Sequence, residues 1–316
     1  IMVGGQAITG FTWGGANLEQ SMAALHTAFD NGITSFDTAP FYGFGLSEEL
    51  IGQAIKGRRD KTYIATKIGL RWDGVPGRLH MREPFQGVER VVVRHAKAES
   101  ITWEVEQSLR RLGTDWIDLL QYHHPDPDTP LEESLNAMHQ VVQQGKVRHL
   151  GVSNLSVDQM REVLQVGPIS TSQNNYSLLR RDIEQDLIPF CVENGIGILC
   201  YGALGRGILA GKTTSERALP PGDIRLRQAI YRPENKRLIN EAIDQIRPIA
   251  KDHHCSVSQL VLAWTLRQSG IHSIIVGVRN PEQASSLAQV EQIDLNEQVI
   301  NLIDTTFQAL SPKLDL

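Results

Sequence analysis

The sequence predicts one domain, residues 1–316, folded as a single (β/α)₈ TIM barrel with long rim loops and extra C-terminal helices. Two observations lead to this prediction. Short apolar strands alternate with amphipathic helices along the chain, which is typical of a parallel sheet. Eight such units can be counted, and 316 residues is a common length for a barrel of eight units.

The predicted strands are short, apolar and bounded by turn residues. They are Val3–Ile8, Ile33–Asp37, Tyr63–Lys67, Trp116–Tyr122, Val147–Val152, Ile169–Gln173, Ile196–Tyr201 and Ser273–Val276. Helical patterns lie between them at Glu19–Asn31, Ser47–Lys56, Thr102–Leu112, Leu131–Gln144, Val157–Leu164 and Ile183–Glu193. We expect N-caps at Ser100, Ser156 and Asn280, the last followed by Pro281 at the first helical position.

Three segments interrupt this alternation. Residues 71–98 follow the third strand, and only Val91–Val93 among them look strand-like. Residues 211–233 precede an additional helix, Glu234–Lys251, and a last helix is predicted in the tail from Val299, ending before Ser311. Long excursions in a compact domain are often functional lids.

Composition excludes several classes of protein. Apolar residues make up 41% and charged residues 21% of the chain, which is ordinary for a globular protein. The net charge of −5 gives no basic surface for nucleic acid. Three cysteines without CxxC spacing argue against a disulfide framework or a structural zinc site. No apolar run approaches a membrane span and no signal peptide is visible, so we expect a cytoplasmic protein without membrane partners.

Four polar residues fall at the ends of neighbouring strands, where parallel barrels carry their active sites. Asp37, Lys67 and His123 end the second, third and fourth strands, and Tyr42 lies in the loop after Asp37. Each residue alone is more often structural, but together on one rim they predict a catalytic site. His123 and His124 should point to opposite faces of a strand, so no metal site is expected.

These residue types suit proton transfer. A tyrosine has an ordinary pKa of about 10, and a neighbouring ammonium lowers it by favouring the phenolate. A carboxylate can hold that ammonium in place when both are buried. We therefore predict a relay of Asp37, Lys67 and Tyr42, with Tyr42 as general acid in reduction or base in oxidation. His123 would orient a substrate carbonyl as a neutral donor.

The sequence resembles the aldo-keto reductase superfamily over essentially its whole length. The matching motifs are Phe36-Asp37-Thr38-Ala39, Tyr42-Gly43, Ser47-Glu48, Ala65-Thr66-Lys67, Ser108 to Asp115, His123, Gly151-Val152-Ser153-Asn154, Gln173, Tyr176-Ser177, Gly205-Arg206-Gly207 and Pro281-Glu282-Gln283. The resemblance implies a (β/α)₈ barrel and places the catalytic tetrad on Asp37, Tyr42, Lys67 and His123.

The resemblance also implies a cofactor, NADP or else NAD, extended across the rim. No GxGxxG motif follows the first strand, so spacing alone would not indicate a nicotinamide site. By the resemblance, Ser153, Asn154 and Gln173 hold the carboxamide and Tyr201 stacks on the nicotinamide. The pyrophosphate is expected at Gly202, Ala203, Leu204, Gly205 and Arg206. The adenosine end, with any 2′-phosphate, is expected at Gly277, Arg279 and Gln283.

The implied activity is reversible reduction of aldehydes or ketones to alcohols, with hydride from nicotinamide C4 and a proton from Tyr42. Candidate walls of the substrate pocket are Trp13, Phe41, Phe44, Trp72 and His124, with Phe11 and Tyr231. Two alternatives stay open: a sugar or polyol dehydrogenase using the same residues, and a cofactor-sensing regulatory subunit like the potassium-channel β-subunits. The substrate, its direction of conversion and the oligomeric state are not determined by the sequence.

Overall fold

The computed structural model describes residues 1–213, 219–310 and 313–314. These residues form eleven strands: β1 (Met2–Gly4), β2 (Ser35–Asp37), β3 (Tyr63–Ile68), β4 (Leu70–Arg71), β5 (Arg78–Phe85), β6 (Val88–Arg94), β7 (Ile117–Tyr122), β8 (Val147–Ser153), β9 (Thr171–Asn175), β10 (Gly197–Tyr201) and β11 (Ile271–Gly277). Eight of them close into a parallel barrel in the order β1-β2-β3-β7-β8-β9-β10-β11, with β11 paired to β1. The predicted fold class is confirmed.

Helices pack around the outside of this barrel. They are α1 (Leu18–Asp30), α2 (Leu46–Ala54), α3 (Ala98–Leu112), α4 (Leu131–Gln143), α5 (Val157–Val166), α6 (Leu187–Glu193), α7 (Pro233–Asp252), α8 (Val257–Leu266), α9 (Pro281–Ala288) and α10 (Glu297–Leu310). Apolar side chains between helices and strands form the main core, and a smaller cluster fills the barrel interior: Met2, Ala65, Leu119, Leu199 and Ile275. Within the described residues, no helix has both the length and the apolar character needed to cross a bilayer.

Two of the three predicted N-caps are present. Ser156 and Gln159 form a capping box at the start of α5, and Asn280 caps α9 ahead of Pro281. The prediction of Ser100 as a cap is wrong, because α3 begins earlier, at Ala98. The backbone N–H of Ala98 donates instead to the Glu133 carboxylate at 3.1 Å, a partner too distant in sequence to be foreseen.

The first strand is shorter than predicted. It ends at Gly4, and residues Ala7–Thr9 form a 3-10 turn. At Gly5 a Cβ would lie 2.3 Å from the Ser47 hydroxyl oxygen, so only glycine allows helix α2 to approach. That hydroxyl donates to the Gly5 carbonyl at 2.9 Å and accepts from Thr38 at 2.8 Å. The Ser47 of the family motif therefore fastens α2 to the barrel.

The excursion after the third strand is more regular than predicted. It forms a three-stranded antiparallel sheet in the order β4-β6-β5 beside the barrel rim. Only the central part of β6 was expected, because charged residues break the apolar pattern of β5 and β6. The inner face of this sheet presents Met81 and Phe85 to a cluster that includes Phe11 and Phe41.

The excursion at residues 211–233 lies partly outside the described residues, which omit 214–218. Its described part contains short 3-10 turns at Ile224–Arg227 and Ala229–Tyr231. Helix α7 then occupies the predicted Glu234–Lys251 with one more residue at each end, and α8 is an additional helix that was not predicted. These turns contact the loop that contains Trp13, because Asp223 pairs with Trp13.

Candidate active site

An ion pair between Asp37 and Lys67 lies at the mouth of the barrel. Asp37 is opposite Ala65 on the neighbouring strand, and Lys67 follows Ala65 by two residues, so both side chains point the same way. Lys67 Nζ donates to Asp37 Oδ1 at 2.7 Å and to the Thr38 carbonyl at 2.8 Å. The two side chains are 0% and 3% exposed. Burial lowers the pKa of Lys67, and the Asp37 carboxylate opposes that shift.

Two amides complete the coordination of the Asp37 carboxylate. Gln121 Nε2 and Gln173 Nε2 donate to its second oxygen at 3.1 and 2.7 Å. Gln173 Nε2 also donates to Gln121 Oε1 at 3.0 Å. Gln121 was not predicted, although its place in register with Lys67 on β7 points it to the same side. The nitrogen of Gln173 is thus used inside the barrel, while its oxygen has no partner among the described residues.

Tyr42 stands above this ion pair. Its loop turns at Gly43, where φ is 62° and a Cβ would lie 2.8 Å from Thr9, so the loop needs glycine there. Lys67 Nζ lies 5.0 Å from the centroid of the Tyr42 ring. The Tyr42 hydroxyl makes no hydrogen bond with any part of the chain that the structure describes, so a substrate oxygen can take that place.

The expected lowering of the Tyr42 pKa is wrong for the protein alone. Burial and the charge of Asp37 raise this pKa well above its ordinary value, while Arg206 opposes the rise. The attraction of Lys67 for a phenolate is offset by Asp37, which binds the same ammonium. Tyr42 therefore stays protonated at neutral pH, which is the form that a proton donor requires.

His123 lies beside Tyr42 on the same rim. The two ring centroids are 5.9 Å apart at 82°, and His123 is 6% exposed. Burial, followed by the charge of Lys67, lowers the pKa of His123 well below its usual range. The ring is therefore neutral and carries a single N–H. Tyr42 and His123 thus offer two hydrogen-bond donors on one side of the barrel mouth.

His124 does not point away from His123 as predicted. Their rings stack at 5.0 Å with 10° between the planes. The prediction assumed that both lie in a strand, but β7 ends at Tyr122 and the backbone bends at His124. A third imidazole, His80 of β5, lies 4.8 Å from His124 and was missed by the sequence analysis. Among the described residues, no group of His, Cys, Asp or Glu side chains is arranged to hold a metal ion.

Tyr201, expected to stack on the nicotinamide, is linked by hydrogen bonds to Asn154 and Ser153, which are expected at its carboxamide. The Tyr201 hydroxyl donates to Asn154 Oδ1 at 2.7 Å. Asn154 Nδ2 donates to Ser153 Oγ at 2.9 Å and to the His123 carbonyl at 3.1 Å. Asn154 has a φ of 62°, a left-handed conformation that asparagine tolerates and that directs its amide over the rim. The structure therefore brings these three residues together beside His123.

The loop expected at the pyrophosphate has an unusual backbone. Gly205, Arg206 and Gly207 have φ values of 54°, 56° and 97° in succession, and three residues separate them from the end of β10. The N–H groups of Gly205 and Gly207 donate to the carbonyls of Gly202 and Leu204 at 2.7 and 2.8 Å, so the loop is closed by its own backbone hydrogen bonds. In the described residues Arg206 has no ion pair, and its carbonyl accepts from the Tyr231 hydroxyl at 2.9 Å. The Tyr231 hydroxyl thus fastens the 229–231 turn to this loop, and its role as a pocket wall stays a prediction. The neighbouring Gly202, Ala203 and Leu204 connect it to β10.

The residues expected at the adenosine end lie between β11 and α9. After Gly277, Arg279 N–H donates to the Gln283 side chain at 2.8 Å, and Asn280 caps the helix. The Arg279 guanidinium donates to the Gly15 carbonyl. Within the described residues it forms no ion pair with a carboxylate, so its charge is not neutralised by direct contact.

The predicted pocket walls pack against different parts of the rim. Phe41 contacts the rings of both Tyr42 and His123, and His124 stacks on His123. Phe44 and Trp72 pack in the same aromatic cluster as Phe41 and Tyr42, which lies beneath the antiparallel sheet and includes Phe11 and Phe85. Trp13 packs on Arg225 and pairs with Asp223, so it meets the turns of residues 223–231.

Comparison with known proteins points to one family. A model of the Aldo/keto reductase family matches residues 1–307. The chain is 37% identical over 311 residues to the aldo-keto reductase YhdN of Bacillus subtilis (strain 168), covering 98% of this chain and 89% of that protein. It is 35% identical over 284 residues to the NADH-specific methylglyoxal reductase of Escherichia coli (strain K12), covering 88% and 85%. The structure of the glycerol dehydrogenase AKR11B4 from Gluconobacter oxydans matches with a TM-score of 0.88 at 35% identity, covering 98% and 92%.

Proposed function

The chain belongs to the aldo/keto reductase family, and from that premise we propose that it reduces aldehydes or ketones to alcohols with a nicotinamide cofactor, preferring NADP(H). The observation that carries this proposal is the fully buried pair of Asp37 and Lys67 beneath a protonated Tyr42 and beside a neutral His123. We expect cofactor oxidation on adding a carbonyl substrate, measured by loss of nicotinamide absorbance over a panel of aldehydes, ketones and sugars.

A carbonyl oxygen placed between Tyr42 and His123 would receive two hydrogen bonds. A nicotinamide held at Asn154 and Gln173 would supply hydride to the carbonyl carbon. As negative charge develops on the oxygen, the Tyr42 hydroxyl gives up its proton and the His123 N–H remains as a donor. The phenolate left behind is stabilised by the Lys67 ammonium, whose charge Asp37 maintains against the effect of burial.

We place the cofactor on the half of the rim formed by β8, β9 and β10, opposite Tyr42. The free oxygen of Gln173 and the second lone pair of Asn154 Oδ1 present acceptors to a carboxamide. The Arg206 guanidinium, which forms no ion pair within the described residues, would bind a pyrophosphate from the loop after β10. Both lie at the carboxyl ends of the later strands, which is where barrels commonly bind phosphate.

The preference for NADP(H) is proposed from the surroundings of Arg279. Its guanidinium and the N-terminus of α9 favour an anion, and burial, followed by the charge of Arg225, lowers the pKa of Arg279. Asp223 is the acidic neighbour, but it is paired in a fork with Arg225 and is not free to bind a ribose hydroxyl. The relative named as NADH-specific shows that the family includes the other choice.

Arg279→Ala is expected to weaken NADPH binding about 10- to 100-fold, the value of one or two charge-assisted hydrogen bonds, and to leave NADH binding unchanged. Fluorescence titration of both nucleotides measures this. The control is Arg161→Ala, which removes an exposed arginine of α5 that is paired with Asp158 far from the rim. Equal weakening for both nucleotides would mean that Arg279 acts by holding the Gly15 loop, and tighter NADH than NADPH binding by the wild type would contradict the preference.

A second function is oxidation of a sugar or polyol by the same residues in reverse. The match to a glycerol dehydrogenase favours it, because that protein's name records an alcohol as substrate. Running the substrate panel in both directions at matched pH separates the two functions by their relative kcat/KM. A regulatory subunit of the potassium-channel type would bind the nucleotide without sustained turnover in either direction.

A further inference from the structure

Strand β5 contains a β-bulge at His80. Leu79 pairs with Val93 and Met81 pairs with Val92, so two steps along β5 correspond to one step along β6. The residue between the two pairs is His80. Bulges of this kind redirect a side chain and are common beside active sites. Without the bulge, the alternation of β5 would place His80 on the face opposite to Met81.

The redirected ring of His80 joins the active site. It lies 4.8 Å from the ring of His124 and 6.1 Å from the ring of Phe41. Since His124 stacks on His123, three imidazoles form a row that leads away from the carbonyl position at Tyr42. The rest of a substrate whose carbonyl lies at Tyr42 can therefore extend along this row.

His80 Nδ1 is buried and makes no hydrogen bond within the described residues. Buried polar atoms in proteins are almost always paired, and an unpaired one costs free energy. Its neighbours on the active-site side are the rings of Phe41 and His124. A ligand that brings a polar group against this wall would remove the cost.

The row is uncharged at neutral pH. Burial, helped by Arg94, lowers the pKa of His80 to about 4, and burial with His80 and Arg94 lowers that of His124 to about 3. Each neutral imidazole has one donor and one acceptor nitrogen. A hydroxyl group, which also donates and accepts, matches such a wall, whereas a carboxylate or phosphate would require a cation.

We propose that His80, acting with His124, determines substrate specificity by binding a hydroxyl group on the carbon chain of the carbonyl substrate. The preferred substrates are then small, uncharged hydroxyaldehydes or hydroxyketones. This inference rests on the proposed function, because the row of imidazoles starts at His123, which orients the carbonyl.

The test compares glyceraldehyde with propanal, which has the same carbon chain without hydroxyls. The wild type should have the higher kcat/KM for glyceraldehyde. His80→Phe keeps a ring of similar size. It should lower kcat/KM for glyceraldehyde about tenfold, the value of one hydrogen bond, and leave kcat/KM for propanal unchanged. His80→Asn keeps a donor and an acceptor near the position of Nδ1 and should recover most of the loss.

Two further variants complete the test. Leu79→Gln changes the adjacent residue, which is 50% exposed, and should leave kcat/KM for both substrates unchanged. His124→Phe should lower kcat/KM for glyceraldehyde by a larger factor than kcat/KM for propanal, which keeps the inference testable if His80→Phe does not fold. If a variant lowers kcat/KM by the same factor for both substrates, so that their ratio is unchanged, the inference is overturned. A wild type that reduces propanal without favouring glyceraldehyde would overturn the inference alone, and one that reduces neither would overturn the proposed function as well.

Discussion

Tyr42→Phe is expected to lower kcat for carbonyl reduction by roughly 100- to 10,000-fold, the usual contribution of a general acid. The phenyl ring still fits against Phe41 and His123, so the pocket keeps its shape and NADPH binding should be nearly unchanged. Steady-state kinetics and a fluorescence titration of NADPH measure the two effects separately. Tyr63→Phe is the matched control, because Tyr63 begins β3 at the other end of the barrel.

Near-normal turnover by Tyr42→Phe would show that another group donates the proton. The pH profile of the wild type is a second check. Because burial raises the pKa of Tyr42 above its ordinary value of about 10, the hydroxyl remains protonated through the neutral and mildly alkaline range. Reduction should therefore lose no rate to deprotonation of Tyr42 between about pH 7 and 9.

Lys67→Met is expected to abolish turnover and to lower the free energy of unfolding by about 3–5 kcal/mol, as is typical when one partner of a buried ion pair is removed. The reason is that Asp37, 2% exposed, would keep a buried charge with only amide donors from Gln121 and Gln173. Denaturant unfolding measures the loss. Lys146→Met removes the partner of Glu106 at the surface, and it should cost at most about 1 kcal/mol.

The double variant Lys67→Met/Asp37→Asn separates the two roles of the ion pair. It removes both charges together, so most of the lost stability should return while turnover should not. If Lys67→Met is as stable as the double variant, then the buried charge of Asp37 carries little cost. If the double variant is active, Lys67 is not needed to stabilise the phenolate of Tyr42.

Much of the barrel could be predicted because strands enclosed on both faces are apolar for most of their length. Runs such as Ile196–Tyr201 and Trp116–Tyr122 therefore stand out, and the observed strands differ from them by one or two residues. Charged residues at the ends of such runs, above all Asp37 and Lys67, can also be recognised in the sequence because they contrast with the apolar residues before them. Their pairing follows from strand order alone.

Other features depend on contacts between distant parts of the chain. Strand β5 mixes exposed charges with inward-facing residues, so its pattern is weak, and its bulge appears only in the pairing with β6. The direction of the Tyr42 pKa shift depends on burial, which the sequence does not give. Phe41 and Phe44 are distant from β5 and β6 in sequence, yet they pack with Trp72 in one cluster under the antiparallel sheet.

The pairing of β1 with β11 has a consequence for biosynthesis. Met2 lies opposite Ile275, so the barrel can close only after residues 271–277 have left the ribosome. Until then β1 and β10 are open edges, and unpaired edges are the places where nascent chains associate wrongly. β1 has only three residues, which limits that hazard. A chain released before residue 271 would contain every residue of the tetrad and both glutamines on Asp37, but no closed barrel to hold them.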